Sequence, residues 1–168
     1  PTDAAAVLLV ELDGGADAVE AEAATVIALL RERGARAVRS ASTPADRARL
    51  WQGRKKAFGA MGRIAPDLAV QDAVVPRSSL PDIMDRIEEI RGRHRLSISN
   101  VFHAGDGNLH PNISFDRRDP DLAARVQVAC REIMAACVEA GGSITGEHGV
   151  GSDKIDYMPL IFDGDTLA

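Results

Sequence analysis

The chain has 168 residues, 45% hydrophobic and 27% charged, with a formal net charge of −5. That is enough chain for one soluble domain with a real core. It lacks the basic excess of a nucleic-acid binder and any apolar run near the ~20 residues that span a bilayer. Arg outnumbers Lys 17 to 3, a compositional habit rather than a functional signal. The start carries no basic region followed by an apolar stretch, so no secretory signal is expected. It opens at Pro1 rather than Met, as a piece of a longer protein would.

Residues 6–13 form an apolar run ending at Gly14-Gly15, read as a buried strand. Asp17 with Glu20 makes a capping-box start. Val19, Ala23, Val26 and Leu30 follow at helical spacing, and Gly34 is the stop. Residues 35–42 read as a second strand. Thr43 is a good N-cap with Pro44 at the first helical position. That helix carries Leu50, Trp51, Arg54 and Phe58, with Trp51 assigned to its core face, and ends near Gly59 to Gly62. Residues 68–75 read as a third strand, closed by Pro76. Ser79 caps a helix with Leu80, Ile83, Met84, Ile87 and Ile90 on one face. His94, among arginines, reads as a solvated helix end.

Next come strands at 97–104 and 109–115 around Gly105-Asp106-Gly107-Asn108. With those four residues as the turn, Ala104 faces Leu109 and His103 faces His110, with Cβ atoms roughly 5 Å apart on one sheet face. Asp119-Pro120 starts a long helix through Leu122, Val126, Cys130, Ile133 and Cys137, ending at Gly141-Gly142. Two helical turns separate the cysteines by about 10.5 Å, too far for a disulfide. They read as core thiols in a reducing cytosol. A Gly-rich segment, 141–151, and a weakly patterned tail, 157–168, complete the chain. Mixed elements with a tight hairpin predict an α+β domain: a mostly antiparallel sheet with helices on one face. No linker or repeat divides it.

Two imidazoles across one turn can grip a metal ion. The competing reading is a hairpin that happens to carry two histidines. The chain has only four His, at 94, 103, 110 and 148, and two of them meeting favours the metal. Glu147-His148 sits among glycines, which let backbone approach a ligand closely. Alone it reads as an exposed loop. Beside His103 and His110, Glu147 completes a His/His/Glu set that leaves coordination positions open and suits Zn²⁺, Mn²⁺ or Fe²⁺. Asp106 reads as a turn residue; for Asn108, turn and site roles balance. An arginine such as Arg54 matches a carboxylate with two parallel bonds, though one Arg among 17 reads first as a surface residue. No dinucleotide fingerprint is present: Pro111 follows the Gly105–His110 turn where a helix is required, and Ser152-Asp153-Lys154 is not a P-loop ending.

His-Ala-Gly-Asp-Gly-Asn-Leu-His at 103–110 and Gly-Gly-Ser-Ile-Thr-Gly-Glu-His-Gly-Val-Gly at 141–151 resemble the C-terminal domain of FAD-linked oxidases. These are the vanillyl-alcohol-oxidase-like flavoenzymes that include glycolate oxidase and D-lactate dehydrogenase. Trp51-Gln52-Gly53-Arg54-Lys55 and Gly62-Arg63-Ile64-Ala65-Pro66-Asp67 are nearest the glycolate oxidase type. The resemblance implies a ferredoxin-like cap domain spanning 1–168. A separate N-terminal domain, not in this chain, would bind FAD. It puts metal ligands at His103, His110 and Glu147, the substrate-carboxylate arginine at Arg54, the proton-abstracting base at His148 and a further substrate residue at Asn108. Relatives acting on 2-hydroxyglutarate carry Thr and Lys where this chain has Phe58 and Ala69, which points to a small 2-hydroxy acid, glycolate or D-lactate. The implied partners are the FAD-binding domain and further oxidase subunits, an iron-sulfur subunit among them. The implied location is cytoplasmic, peripheral to the inner membrane through partner subunits. Two rivals use the same residues: a metal-dependent hydrolase, and a non-catalytic module with a structural metal.

Overall fold

A computed structural model describes residues 4–167. The chain divides into two compact units, one up to Lys56 and one from Ala57. The first holds α1 (Ala16–Glu32) and α2 (Pro44–Lys55). Gly15 is the N-cap of α1 and no side chain caps it, so the Asp17–Glu20 box does not form. Asp17 lies instead inside the first turn, where its charge complements the positive end of the helix dipole. Thr43 caps α2 as expected, its hydroxyl accepting from the Asp46 N–H at 3.1 Å, with Pro44 following. Trp51 is half-buried rather than in a core. The expected strands at 6–13 and 35–42 do not form. An apolar run supplies side chains for a strand but no partner ladder, and none of the described residues pairs with either segment.

The second unit begins with the short α3 (Ala57–Met61), separated from α2 by Lys56. It continues through β1 (Asp67–Val70), β2 (Ala73–Val74), α4 (Leu80–His94), β3 (Ser97–His103), β4 (Asn108–Phe115) and α5 (Pro120–Glu139). A 3-10 segment (Ile155–Leu160) and α6 (Gly164–Leu167) form where a weakly patterned tail was expected; Ala168 lies outside the described residues. Ser79 closes a 3-10 turn before α4 and makes no side-chain cap. The Asp119 carboxylate does cap α5, accepting from the Leu122 N–H at 2.9 Å. His94 is not a solvated end: its ring is largely buried, with Nε2 3.0 Å from Glu132.

β4 is the centre of the sheet. β3 pairs antiparallel with one edge; β1 and β2 lie end to end along the other, also antiparallel. Val70 opposite Asn112 and Ala73 opposite Leu109 belong to one register, so β1 and β2 are the single expected strand, interrupted at Gln71-Asp72. Pro111 explains the break. The Gln71 N–H donates to the Pro111 carbonyl at 2.9 Å, but Pro111 has no N–H to return. With α4 and α5 as crossovers, the order is the β-α-β-β-α part of a ferredoxin-like fold. A lone Val74–Ser143 bridge stands where a fourth strand would pair.

Strand alternation divides β4 into two faces. Leu109 and Ile113 join Ile83, Ile87 and Ile90 of α4 and Val126, Cys130, Ile133 and Cys137 of α5 in one buried cluster. Each fully buried aliphatic side chain there contributes about 1.5–3 kcal/mol. Both cysteines are free and buried. The opposite face of β4 presents Asn108, His110, Asn112 and Ser114, all buried and all polar. The chain is thus an α+β fold, with helices packed on the apolar sheet face and chemistry left to the other.

Candidate functional site

The hairpin meets differently from the simple expectation. His103 pairs with Asn108 and Val101 with His110, so the turn is residues 104–107 and Asn108 begins β4. The Asp106 N–H donates to the His103 carbonyl at 3.0 Å, and Asp106 is an exposed turn residue. A distant contact decides which residues turn: the Val75 N–H donates to the Gly107 carbonyl at 3.0 Å. Gly107 has φ +74, and a Cβ there would lie 2.1 Å from the Val75 oxygen. The two-residue shift keeps His103 and His110 on one face as diagonal neighbours. Their rings meet edge to face, centroids 5.6 Å apart.

The Gly-rich loop brings in the rest. His110 Nε2 lies 3.0 Å from Glu147 Oε1, and His103 Nε2 lies 4.0 Å from the same oxygen. The His148 ring stacks on His110 with centroids 5.1 Å apart and planes 13° apart. His148 Nε2 is 3.6 Å from Glu147 Oε1. His110 is 2% exposed, whereas His103, Glu147 and His148 are about half exposed. The cluster therefore has a buried floor and an open mouth. Burial lowers the pKa of His110, against the raising influence of Glu147, Asp72 and the Gln71 backbone. A neutral ring with a free lone pair is what a metal requires.

His103, His110 and Glu147 each offer one ligand atom, all within 4.8 Å of one another. Metal–ligand bonds of about 2.0–2.2 Å place neighbouring donors roughly 3–3.5 Å apart, so modest closure satisfies an ion. Asp72, His110 and His148 form a second such group. It is the poorer one, because the Asp72 carboxylate is fully buried and already engaged within the protein, mostly through Oδ2. That carboxylate accepts from Thr145 Oγ1 at 2.8 Å and from the N–H groups of Gly146 (2.9 Å), Glu147 (3.2 Å) and His148 (3.0 Å). It also accepts from Lys154 Nζ at 3.1 Å. Burial alone would raise the Asp72 pKa; the His148 N–H, Thr145, Lys154 and the Gly146 N–H outweigh it and hold the carboxyl well below its usual range.

The structure brings together five of the six expected site residues: His103, Asn108, His110, Glu147 and His148. Arg54 belongs to the other unit, in the last turn of α2. Asn108 is buried and its Oδ1 has no hydrogen-bond partner. Gly146 packs against it so closely that a Cβ at 146 would stand 2.4 Å from that oxygen. Three residues escaped the sequence reading. Asn112 lies two positions beyond His110 on the same face, its Nδ2 donating to the His110 carbonyl at 2.5 Å and its Oδ1 unpartnered. Asp72 and Lys154 are the other two. A charged residue inside the apolar run 68–75 was the available signal, since a buried carboxylate requires partners.

Comparison with known proteins identifies the family. Residues 1–168 match the family model described as FAD linked oxidases, C-terminal domain. The glycolate oxidase subunit GlcD of Escherichia coli (strain K12) is 45% identical over 167 residues, covering 99% of this chain and 34% of that protein. GlcD of Bacillus subtilis (strain 168) is 39% identical over 160 residues, 95% of this chain and 34% of that protein. A D-lactate dehydrogenase of Anaerostipes hadrus is 31% identical over 163 residues, 94% of this chain and 34% of that protein. The chain spans about a third of the length of these curated relatives. No helix among the described residues is long and apolar enough to cross a membrane. The chain belongs to the family of FAD-linked oxidase C-terminal domains.

Proposed function

We propose that this chain is the substrate-binding cap of a flavin-dependent 2-hydroxy-acid dehydrogenase, acting on glycolate or D-lactate together with an FAD-binding domain. The observation that carries this reading is the convergence of His103, His110 and Glu147 ligand atoms beside the His148 ring. The names of the relatives support the substrate class.

In this reading His103, His110 and Glu147 hold one Zn²⁺, Mn²⁺ or Fe²⁺. The chemistry that ion supplies is Lewis acidity toward the substrate 2-hydroxyl, and that of the flavin is acceptance of the C2 hydride. His148 takes the hydroxyl proton at Nε2, the nitrogen 3.6 Å from the Glu147 carboxylate. Such general-base assistance contributes about 10²- to 10⁴-fold in rate. Asn108 turns a buried, unpartnered amide oxygen toward the same face and binds substrate. Arg54 holds the substrate carboxylate through a bidentate fork. Phe58 and Ala69 leave no cation for a distal carboxylate, which suits a small substrate. The name of GlcD as a subunit supports further oxidase subunits; an iron-sulfur subunit among them is part of the proposal. A cytoplasmic setting, peripheral to the inner membrane through those subunits, completes the proposal.

Metal analysis of the full-length protein tests the centre. We expect near-stoichiometric metal in the wild type and a large loss in His103→Ala; equal, negligible metal in both sinks the site. Arg54→Lys in the same protein should cut kcat/KM at least tenfold, about 1.4 kcal/mol of transition-state binding. Unchanged kinetics remove Arg54.

A further inference from the structure

Glu147 and His148 sit on a loop rich in glycine, and such a loop has no intrinsic shape. What fixes it is one buried carboxylate. Asp72 lies in the gap between β1 and β2, where the shared register sets it opposite His110. It has no solvent exposure. Three successive N–H groups, from Gly146, Glu147 and His148, converge on its two oxygens. Thr145 Oγ1 donates to the same carboxylate and accepts from the Gly149 N–H at 2.9 Å, which ties both ends of the turn. Lys154, also buried, donates to the Asp72 carbonyl at 2.6 Å and to its carboxylate at 3.1 Å.

A buried ion pair is poor value as a source of stability, because desolvation offsets its attraction. Its geometric effect is large: every backbone donor from 146 to 148 is committed to one point beside His110. We infer that Asp72 and Lys154 are positioning residues for the proposed centre, aiming the Glu147 carboxylate and the His148 ring at His110. The inference rests on the metal reading given above. It assigns Asp72 no place in the coordination sphere: Oδ2 accepts from Thr145, Gly146, Glu147, His148 and Lys154, and Oδ1 from the Glu147 N–H.

Residues that orient metal ligands typically cost about 10- to 100-fold in metal affinity when replaced. The test is Zn²⁺ and Mn²⁺ affinity, by competition with a chelating dye, in the full-length protein. Asp72→Asn alone leaves Lys154 buried and uncompensated and risks unfolding. The double variant Asp72→Asn/Lys154→Met keeps the charge balance, and Thr145→Val removes one donor with little change of volume. Thermal melts establish that each variant is folded. Both should bind metal about 10- to 100-fold more weakly, and Thr145→Ser, which restores the hydroxyl, should return near wild-type affinity. Wild-type affinity in folded Thr145→Val overturns the inference. So does wild-type affinity in the double variant while Glu147→Gln loses metal; the metal reading then survives alone. Absence of metal from the wild type sinks the metal reading and the inference together.

Discussion

Gly146→Ala is the sharpest probe of how tightly the loop seats on β4. Gly146 is not in the left-handed region, so alanine meets no backbone strain there. The whole effect must come from contact. The new Cβ would stand 2.4 Å from Asn108 Oδ1, 2.7 Å from its Cγ and 2.9 Å from its Nδ2. A relaxed contact needs nearly 1 Å more. Asn108 is buried and cannot swing freely, so the loop must lift by a similar amount. That would stretch the 2.9 Å bond from the Gly146 N–H to Asp72 beyond hydrogen-bond range. Overpacking of this kind costs about 1–3 kcal/mol. For a unit of this size that lowers Tm by roughly 4–20 °C. The assay is calorimetry on a double-mutant cycle with Asn108→Ala, which removes the clashing atoms. Gly146→Ala should cost clearly less in the Asn108→Ala background, a coupling of about 0.5–3 kcal/mol. An equal cost in both backgrounds refutes the claim that the loop is seated on Asn108.

Three further outcomes are expected. Gly107→Ala combines a left-handed φ of +74 with a Cβ 2.1 Å from the Val75 oxygen; it should lower stability by about 2–5 kcal/mol in denaturant titration, and a loss under 1 kcal/mol contradicts the hairpin geometry. Cys130 and Cys137, buried and pushed up to about 12, should resist alkylation in the native protein and react only after denaturation; rapid native labelling contradicts their burial. Asp72 has a folded pKa below its ordinary 3.8, so its contribution is present above that pH and is lost as pH falls below it. Acid melts should therefore show a stability loss below pH ~4 that shrinks in Asp72→Asn/Lys154→Met; an unchanged acid limb removes Asp72 from it.

What the sequence makes legible is what local chemistry decides. Thr43-Pro44 and Asp119-Pro120 announce helix starts through their own side chains. The 3.6-residue spacing of Ile83, Ile87 and Ile90 marks the buried face of α4. The two hairpin histidines are close in sequence, so their meeting needs only a turn. Long-range contacts are hidden. Residues 6–13 and 35–42 have strand-like side chains, but pairing depends on a partner that no local pattern names. The hairpin register turns on Val75, some thirty residues from Gly107. Asp72 and Lys154 are one acid among 25 Asp and Glu and one of three lysines, separated by 82 positions. Pro111 was visible as a residue, but its effect falls on a neighbouring strand.

Consecutive backbone N–H groups in a Gly-rich turn ordinarily form a nest, a concavity ready to receive a phosphate or carboxylate from solution. In this chain the nest at 146–148 is filled from within by Asp72. An incoming anion would have to displace a buried carboxylate that Lys154 also holds. The loop is therefore closed to the role its composition advertises. Any anion this domain binds would have to be met by groups other than these three N–H donors.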